Sequence, residues 1–446
     1  MTDVTVEALE NLLASNNKQD LTQLLEKEHP ADLAQVLCEL EIPDIWKLLA
    51  LLPIDKQANL FGYFSHDVQL ELAQPNKRAR IAKIITEMDS DDRADFFNGL
   101  SETQKRVLLP ALAQVERMDL LRLASYEEGT AGAIMTSDYA TLNKDLTASQ
   151  ALKKLREEAP DKETIYRSYV VDRSRRLIGT VSLKDIIIAS PRAKITDIMD
   201  SNTHAIQVNA EQEDVARTIA KYDMLAIPVI DDNNRLVGIV THDDAADVLT
   251  EEATEDIHKG GTVNNLSSSV REASIFMLYR ARIFWLIILV FGNIFSGAGI
   301  AAFEETIAAY VSLLFFLPLL IASGGNAGAQ SGTLMVRALA TGDVRTSDWG
   351  KMFGREILIS MLLGITMAIA VSSIGVWRGG VDVAIVVSLS MVLIVIVGSL
   401  IGLLLPFVLT KLKLDPATAS APLITSIADL AGVLLYFSIA DYFLIK

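Results

Sequence analysis

Cysteine is almost missing from this chain of 446 residues: Cys38 stands alone, so no intrachain disulfide can form and no thiolate metal cluster can be built. Aromatic residues are sparse at 7%, and histidine occurs five times. The start, Met1-Thr2-Asp3-Val4, has neither a basic stretch nor an apolar one, so no signal peptide is expected there. No Walker lysine motif, no HExxH and no GxSxG near plausible partners is found, and an enzyme is not expected. Positive charge is also in deficit, with a formal net charge of −16. An acidic chain argues against a nucleic-acid partner and for divalent cations or plain solubility.

What is present is unevenly spread. Up to Arg282 there are 32 Lys and Arg against 47 Asp and Glu; beyond it the counts are 8 and 9. The second part, from Ile283, is dominated by apolar runs long enough to cross a bilayer, which takes about 20 residues each. A soluble acidic portion followed by a membrane portion is therefore expected. Spans are read at Ile283–Phe303, Ile307–Val336, Ile357–Trp377, Val383–Leu409 and Ala419–Leu444. Short connections on one side carry Arg271, Arg280, Arg282, Arg337, Arg345, Lys351, Arg355, Lys411 and Lys413, against Arg378 and Lys446 on the other. That imbalance puts the amino terminus in the cytosol and the carboxyl terminus outside.

In the acidic portion the first 125 residues read as short amphipathic helices, with Leu33, Val36, Leu37 and Leu40 on one face and Pro30, Pro43, Pro53 and Pro75 as punctuation. Short helix pairs without strand signals predict a superhelical stack. Beyond Thr130 an internal repeat appears. Tyr169–Ser182 aligns with Pro228–Thr241 at a shift of 59 residues, each copy reading strand, polar turn, Gly, strand and helix start, and Ile134-Met135-Thr136 matches Ile198-Met199-Asp200. These resemble paired CBS motifs, two small β-α-β-β-α units that pack as one regulatory module. After them, Glu251, Glu252, Glu255 and Asp256 precede His258 and Lys259, an order that suits a helix dipole and predicts a connecting helix.

Two features of the membrane portion carry chemistry. Ser323-Gly-Gly-Asn-Ala-Gly-Ala-Gln-Ser331 interrupts the apolar second span, and it reads either as a pore lining with freed carbonyls or as a small-residue packing seam. Asp429 falls about midway along the fifth span with no intramembrane Lys or Arg as an obvious partner. A carboxylate there costs several kcal/mol unless a cation or water meets it, the alternative being a protonated interhelical hydrogen bond. Magnesium takes six oxygens and keeps its waters, so two Asp429 side chains across a dimer axis would suit a hydrated ion, with Asn326 and nearby carbonyls holding water. Glu356 beside Arg355 reads equally as a cytosolic mouth residue or as that arginine's partner.

Gly324-Gly-Asn-Ala-Gly with Gln330-Ser331, Arg337-Ala-Leu-Ala340, Leu405-Pro-Phe407, Asp415-Pro-Ala417, Asp429-Leu-Ala-Gly432 and Glu251-Glu-Ala-Thr-Glu-Asp-Ile-His258 resemble the MgtE magnesium channels in order and spacing, essentially end to end. The resemblance implies an all-α superhelical domain (1–130), a tandem α/β CBS pair (131–199 and 200–250), a connecting plug helix (251–275) and a five-helix membrane domain (276–446). It implies a homodimer in the inner membrane, with the pore between subunits and Asp429, Asn326, Gly325, Gly328 and Ala428 at the ion. Onto matching positions it carries a cytosolic magnesium sensor at Asp91, Asp95, Glu211, Glu213, Asp244, Asp247, Glu255 and Asp256, which shuts the channel. One departure is Ala329, where the family usually has Asn. CBS pairs commonly bind adenine nucleotides through Ser or Thr and an Asp three residues on; Ser182 with Asp185 and Thr241 with Asp244 fit, so ATP is a candidate ligand and Asp244 is claimed twice. Other readings are a CBS-regulated transporter of cobalt or manganese, of chloride or an osmolyte, or a membrane sensor that conducts nothing; an acid rather than a basic residue in the fifth span disfavours the anions.

Overall fold

The computed structural model describes residues 5–15, 18–73, 77–264 and 273–445; Pro75, Arg271 and Lys446 of the sequence reading lie outside them. The chain divides into two compact units, Met1–Glu251 and Glu252–Lys446.

Among the described residues the first unit opens with ten short helices: α1 Val6–Ala14, α2 Lys18–Lys27, α3 Pro30–Leu37, α4 Ile42–Leu49, α5 Ile54–Gly62, α6 His66–Leu72, α7 Arg78–Thr86, α8 Ser90–Gly99, α9 Glu102–Leu108 and α10 Gln114–Leu123. Proline sets several of their starts, in the first turns of α3 and α4 and at the N-cap of α5, where no backbone N–H is needed. From α3 onward each helix packs on the next but one, α3 on α5, α4 on α6 and so on to α8 on α10. Leu37, Ile45, Leu48, Leu49 and Phe61 are fully buried by this stacking.

The repeat follows, with α11 Ala148–Glu158, α12 Leu183–Ile188, α13 Ile195–Ile198 and α14 Gln212–Lys221 around two three-stranded sheets. The strands are β1 Tyr139–Asn143, β2 Thr164–Val171 and β3 Leu177–Ser182, then β4 Ile206–Gln207, β5 Ala226–Ile230 and β6 Leu236–Thr241. In each sheet the first strand runs parallel to the second and the second antiparallel to the third. The copies also exchange contacts. Thr136 bridges Ile239, while Asp200 bridges Thr180. The repeated glycines explain themselves here, since a Cβ on Gly238 would lie 2.4 Å from the sulfur of Met135 and one on Gly179 would lie 3.0 Å from that of Met199.

Helix α15, His242–Gly260, starts directly at the end of β6, earlier than the connecting helix read from sequence, because Asp243 and Asp244 already favour a helix start there. The second unit continues with α16 Ile275–Ala301, α17 Glu304–Ala309, α18 Leu313–Ala340, α19 Trp349–Lys411 and α20 Ala421–Leu444. Four of these are long and apolar enough to cross a membrane. A straight 63-residue α19 would measure about 95 Å, some three times the hydrocarbon thickness. It is interrupted at Gly380, where φ is 79° and ψ −179°, a conformation that suits glycine. Its two arms return on each other: Gly375 faces Ala384 and Gly364 faces Val392, with Cβ positions under 3 Å from the opposite Cα.

Candidate functional site

The membrane unit brings the two candidate pore segments into contact. Asp429 lies on α20 one turn after Thr425, and Gly325 on α18 packs against both: a Cβ there would come within 2.8 Å of Thr425 Cγ2 and 3.5 Å of Asp429 Oδ1. Asp429 Oδ1 is buried and has no hydrogen-bond partner among the described residues. Ala428 beside it is buried, whereas Asn326 is exposed.

Of the two readings of the glycine run, freed carbonyls are not seen: α18 is continuous from Leu313 to Ala340 and the run stays within the helix. Its small residues instead divide by face. Gly324 and Gly328 meet Gly398 and Gly402 of α19 backbone to backbone, a Cβ on Gly402 falling 2.0 Å from the Gly328 carbonyl oxygen and one on Gly398 falling 2.3 Å from that of Gly324. That is a small-residue seam, and Gly328 belongs to it. On another face Asn326, Gln330, Thr333 and Arg337, spaced four, three and four residues apart, are all exposed.

A second constellation lies within the first unit. Asp91 on α8 is buried, its Oδ1 without a hydrogen-bond partner among the described residues, and burial pushes its carboxyl well above the ordinary range, with Asp244, Asp92 and Glu163 adding repulsion. Partial desolvation comes first and repulsion second for its neighbours too: Asp92 is pushed up to about 6, Asp95 to about 7 and Glu163 to about 8. Asp244 is raised by burial although the Thr241 hydroxyl, which it accepts, pulls the other way. Asp247 acts on Asp92 and Asp244. The fully buried hydroxyls of Ser90 and Thr136, 2.9 Å apart, with Ser90 also accepting the Ser137 N–H at 2.7 Å, pin α8 to the start of the repeat and hold this cluster together.

Sequence reasoning named Asp91, Asp95, Asp244 and Asp247 of this group and missed Asp89, Asp92, Asp138, Glu163 and Asp243. The run Asp89-Ser-Asp-Asp92 at a helix start was a signal for two of them; Glu163, before β2, had none. Glu211 stands at the N-cap of α14 and Glu213 pairs with Arg217 on the same helix. Among the described residues no three acid, imidazole or thiol groups converge into a ready cage for a metal. In the second unit Glu255 pairs with Lys259, and Asp256 is raised by burial and then by Asp415. Glu356 forms no ion pair with Arg355 among the described residues; its carbonyl accepts the Ser360 hydroxyl.

Of the nucleotide candidates, the Ser182 hydroxyl donates to Asp185 at 2.5 Å, and the Thr241 hydroxyl donates to Asp244. Ser182 lines a cleft of about 350 Å³ with Tyr166, Arg167, Asp200 and the stacked rings of His204 and Tyr222, 4.2 Å apart. A larger cleft of about 1160 Å³ borders the acid cluster through Asp89, Asp138 and Glu163 and carries Arg93, Lys162 and Arg235 as well.

Comparison with known proteins matches three family models: MgtE, a divalent cation transporter, at residues 317–439; the MgtE intracellular N domain at 28–129; and the CBS domain at 131–192 and 195–251. The magnesium transporter MgtE of Thermus thermophilus is 38% identical over 97% of both chains, and that of Bacillus subtilis is 32% identical over 97% of this chain and 96% of its own. Among solved structures, the soluble part of a magnesium transporter aligns with a TM-score of 0.51 at 32% identity, covering 56% of this chain and 98% of that one. The cytosolic domain of the Mg2+ channel MgtE in complex with ATP aligns equally, at 36% identity over 55% and 99%. The chain therefore belongs to the MgtE family of divalent cation transporters.

Proposed function

We propose that this protein is a magnesium channel of the bacterial inner membrane, closed by cytosolic magnesium when the cell has enough. The observation that carries the reading is Asp429, a carboxylate within an apolar helix, one oxygen buried and unpartnered, with a glycine beside it in place of a side chain. A cation crossing the membrane supplies the missing partner, and a retained water shell explains why so few protein oxygens are needed. Support for a homodimer comes from α18, whose exposed Asn326, Gln330, Thr333 and Arg337 would be costly against lipid and suit a watered path between two copies. The antiparallel arms of α19 support five crossings, with the basic connections on the cytosolic side. The backbone of Gly325 and Ala428 and the Asn326 amide then serve to hold the ion's water, while Gly328 serves packing.

For the regulator, mutually repelling carboxylates on α8, on the CBS pair and on α15 are drawn together when a divalent cation neutralises them, which selects one arrangement of the soluble portion. Asp91, with its unpartnered oxygen, fits such an ion. Asp92 and Glu163 join Asp91, Asp95, Asp244 and Asp247 in that role. The cleft at Ser182 suits a nucleotide, ATP being the candidate from the relative whose complex is known.

The test is cation flux into vesicles reconstituted with the full chain. Magnesium should enter ahead of calcium, and magnesium inside the vesicle should suppress entry. Equal flux of cobalt or manganese would widen the substrate to divalent cations generally, and no flux of any of them would leave only the sensor reading.

A further inference from the structure

One contact in the second unit joins the end of α15 to the start of the helix that bears Asp429. Lys259, a residue before the end of α15, places its Nζ 2.6 Å from Asp415 Oδ2 and also pairs with Glu255 one turn earlier. Asp415 is no loose anchor. Its other oxygen accepts the Ala417 N–H at 2.8 Å, fixing the turn Pro416–Thr418, after which Ser420 caps α20 by accepting the Leu423 N–H at 3.4 Å. Asp429 follows about two and a half turns into that helix. Just past α15 a second tie holds the chain to α16: the Asn264 N–H donates to the Ala281 carbonyl at 3.0 Å, and Trp285 Nε1 donates to Asn264 Oδ1 at 3.1 Å.

The charges make the first tie depend on one ammonium. Glu255 and Asp256 on α15 and Asp415 opposite are all acidic, and Asp415 acts on Asp256 as a like charge. With Lys259 present the contact is attractive; without it the same segments repel.

We propose that Lys259 is the positioning residue through which α15 acts on the channel: its ammonium grips Asp415, and so a displacement of α15 is passed to α20 and to Asp429. The inference rests on the reading of a magnesium-inhibited channel and adds the residue that couples inhibition to the pore. It does not place Lys259 in the ion path.

The experiment is magnesium flux of the full-length protein in vesicles, measured against internal magnesium concentration. For Lys259→Gln the concentration that halves flux should rise at least about threefold, the effect of losing a partly exposed pair shared between two carboxylates, while flux at low internal magnesium stays as in the parent. Lys259→Arg should inhibit normally. The exchanged pair Lys259→Asp with Asp415→Lys should recover part of the loss seen in Lys259→Asp alone. A Lys259→Gln curve superimposed on the parent's, or an exchanged pair no better than Lys259→Asp, overturns the inference and leaves the channel reading standing. A parent protein indifferent to internal magnesium overturns the reading, and the inference with it.

Discussion

Around α8 and the start of α15, burial and then mutual repulsion raise a crowd of carboxyls, whereas Asp429 on α20 has a buried oxygen with no hydrogen-bond partner among the described residues. Both arrangements are unfavourable as they stand, for different reasons. Crowding adds repulsion to the cost of burial, and a bound ion relieves both by drawing the carboxylates together; isolation in an apolar helix costs solvation alone, which a passing ion supplies. The first suits a sensor and the second a conduit, although the side chains are the same.

The comparison can be broken at its strongest point by Asp429→Ala, which should lower magnesium flux by about 100-fold or more while the protein still inserts, since the substitution removes the carboxylate proposed to meet the ion. Undiminished flux with normal insertion would remove the conduit from the account. Next in size is the seam that holds α18 to α19. Gly402→Val drives a side chain into the Gly328 carbonyl, an overpacking cost of about 3 kcal/mol or more, so the membrane unit should melt earlier in detergent; an unchanged melting temperature would mean that the helices are not in backbone contact.

The sensor half is sharpened by neutralising Asp247, Glu255 and Asp256 together. Flux should then persist at internal magnesium concentrations about tenfold higher than those that close the parent. Unchanged closure would exclude these residues from sensing.

A milder effect concerns pH. The carboxyls of Asp92, Asp95 and Glu163 lie at about 6, 7 and 8 in the folded chain, above their unfolded values. At these three groups the folded state thus binds more protons between pH 4 and 8, and their linkage slope is negative: the stability they contribute is greatest near pH 4 and declines as pH rises through the folded values. Amide exchange in α8 of the full chain, free of magnesium, should therefore speed up from pH 5 to 8 beyond its intrinsic pH dependence, and magnesium at pH 8 should reverse the change. Exchange that tracks the intrinsic rate alone would show the acids to be ordinary surface groups. Smallest of all is Ala329→Asn, which restores the family's usual amide on a half-buried position of α18 and should change magnesium flux by no more than about twofold.

Much of this architecture was legible in the sequence because it rests on periodicity. The 59-residue repeat became two sheets of the same topology, and apolar runs became long helices, because burial follows pattern. Span limits were less legible. The run from Ile307 is divided by the short α17 and the turn before Leu313, while α19 extends beyond the apolar stretch at both arms, since helices continue through polar residues wherever nothing stops them. The glycine run left two readings open in the sequence, because glycine lowers helix propensity in water whereas in an apolar setting the backbone has no better partner than its own ladder. Asp91 and Asp429 could be named from sequence by motif and position. Glu163 could not, because its place in the cluster depends on how the first strands of the repeat meet α8.

The most direct test of the account asks whether two Asp429 positions approach each other. With Cys38→Ser removing the one native thiol, Asp429→Cys leaves a single reactive group per chain, and a short bifunctional thiol reagent applied to native membranes can join only residues that meet. The account expects a covalent dimer at this position and none when the cysteine is placed at exposed Ile369 on α19 instead. Monomer alone from Asp429→Cys, with the thiol shown to be accessible, would contradict it.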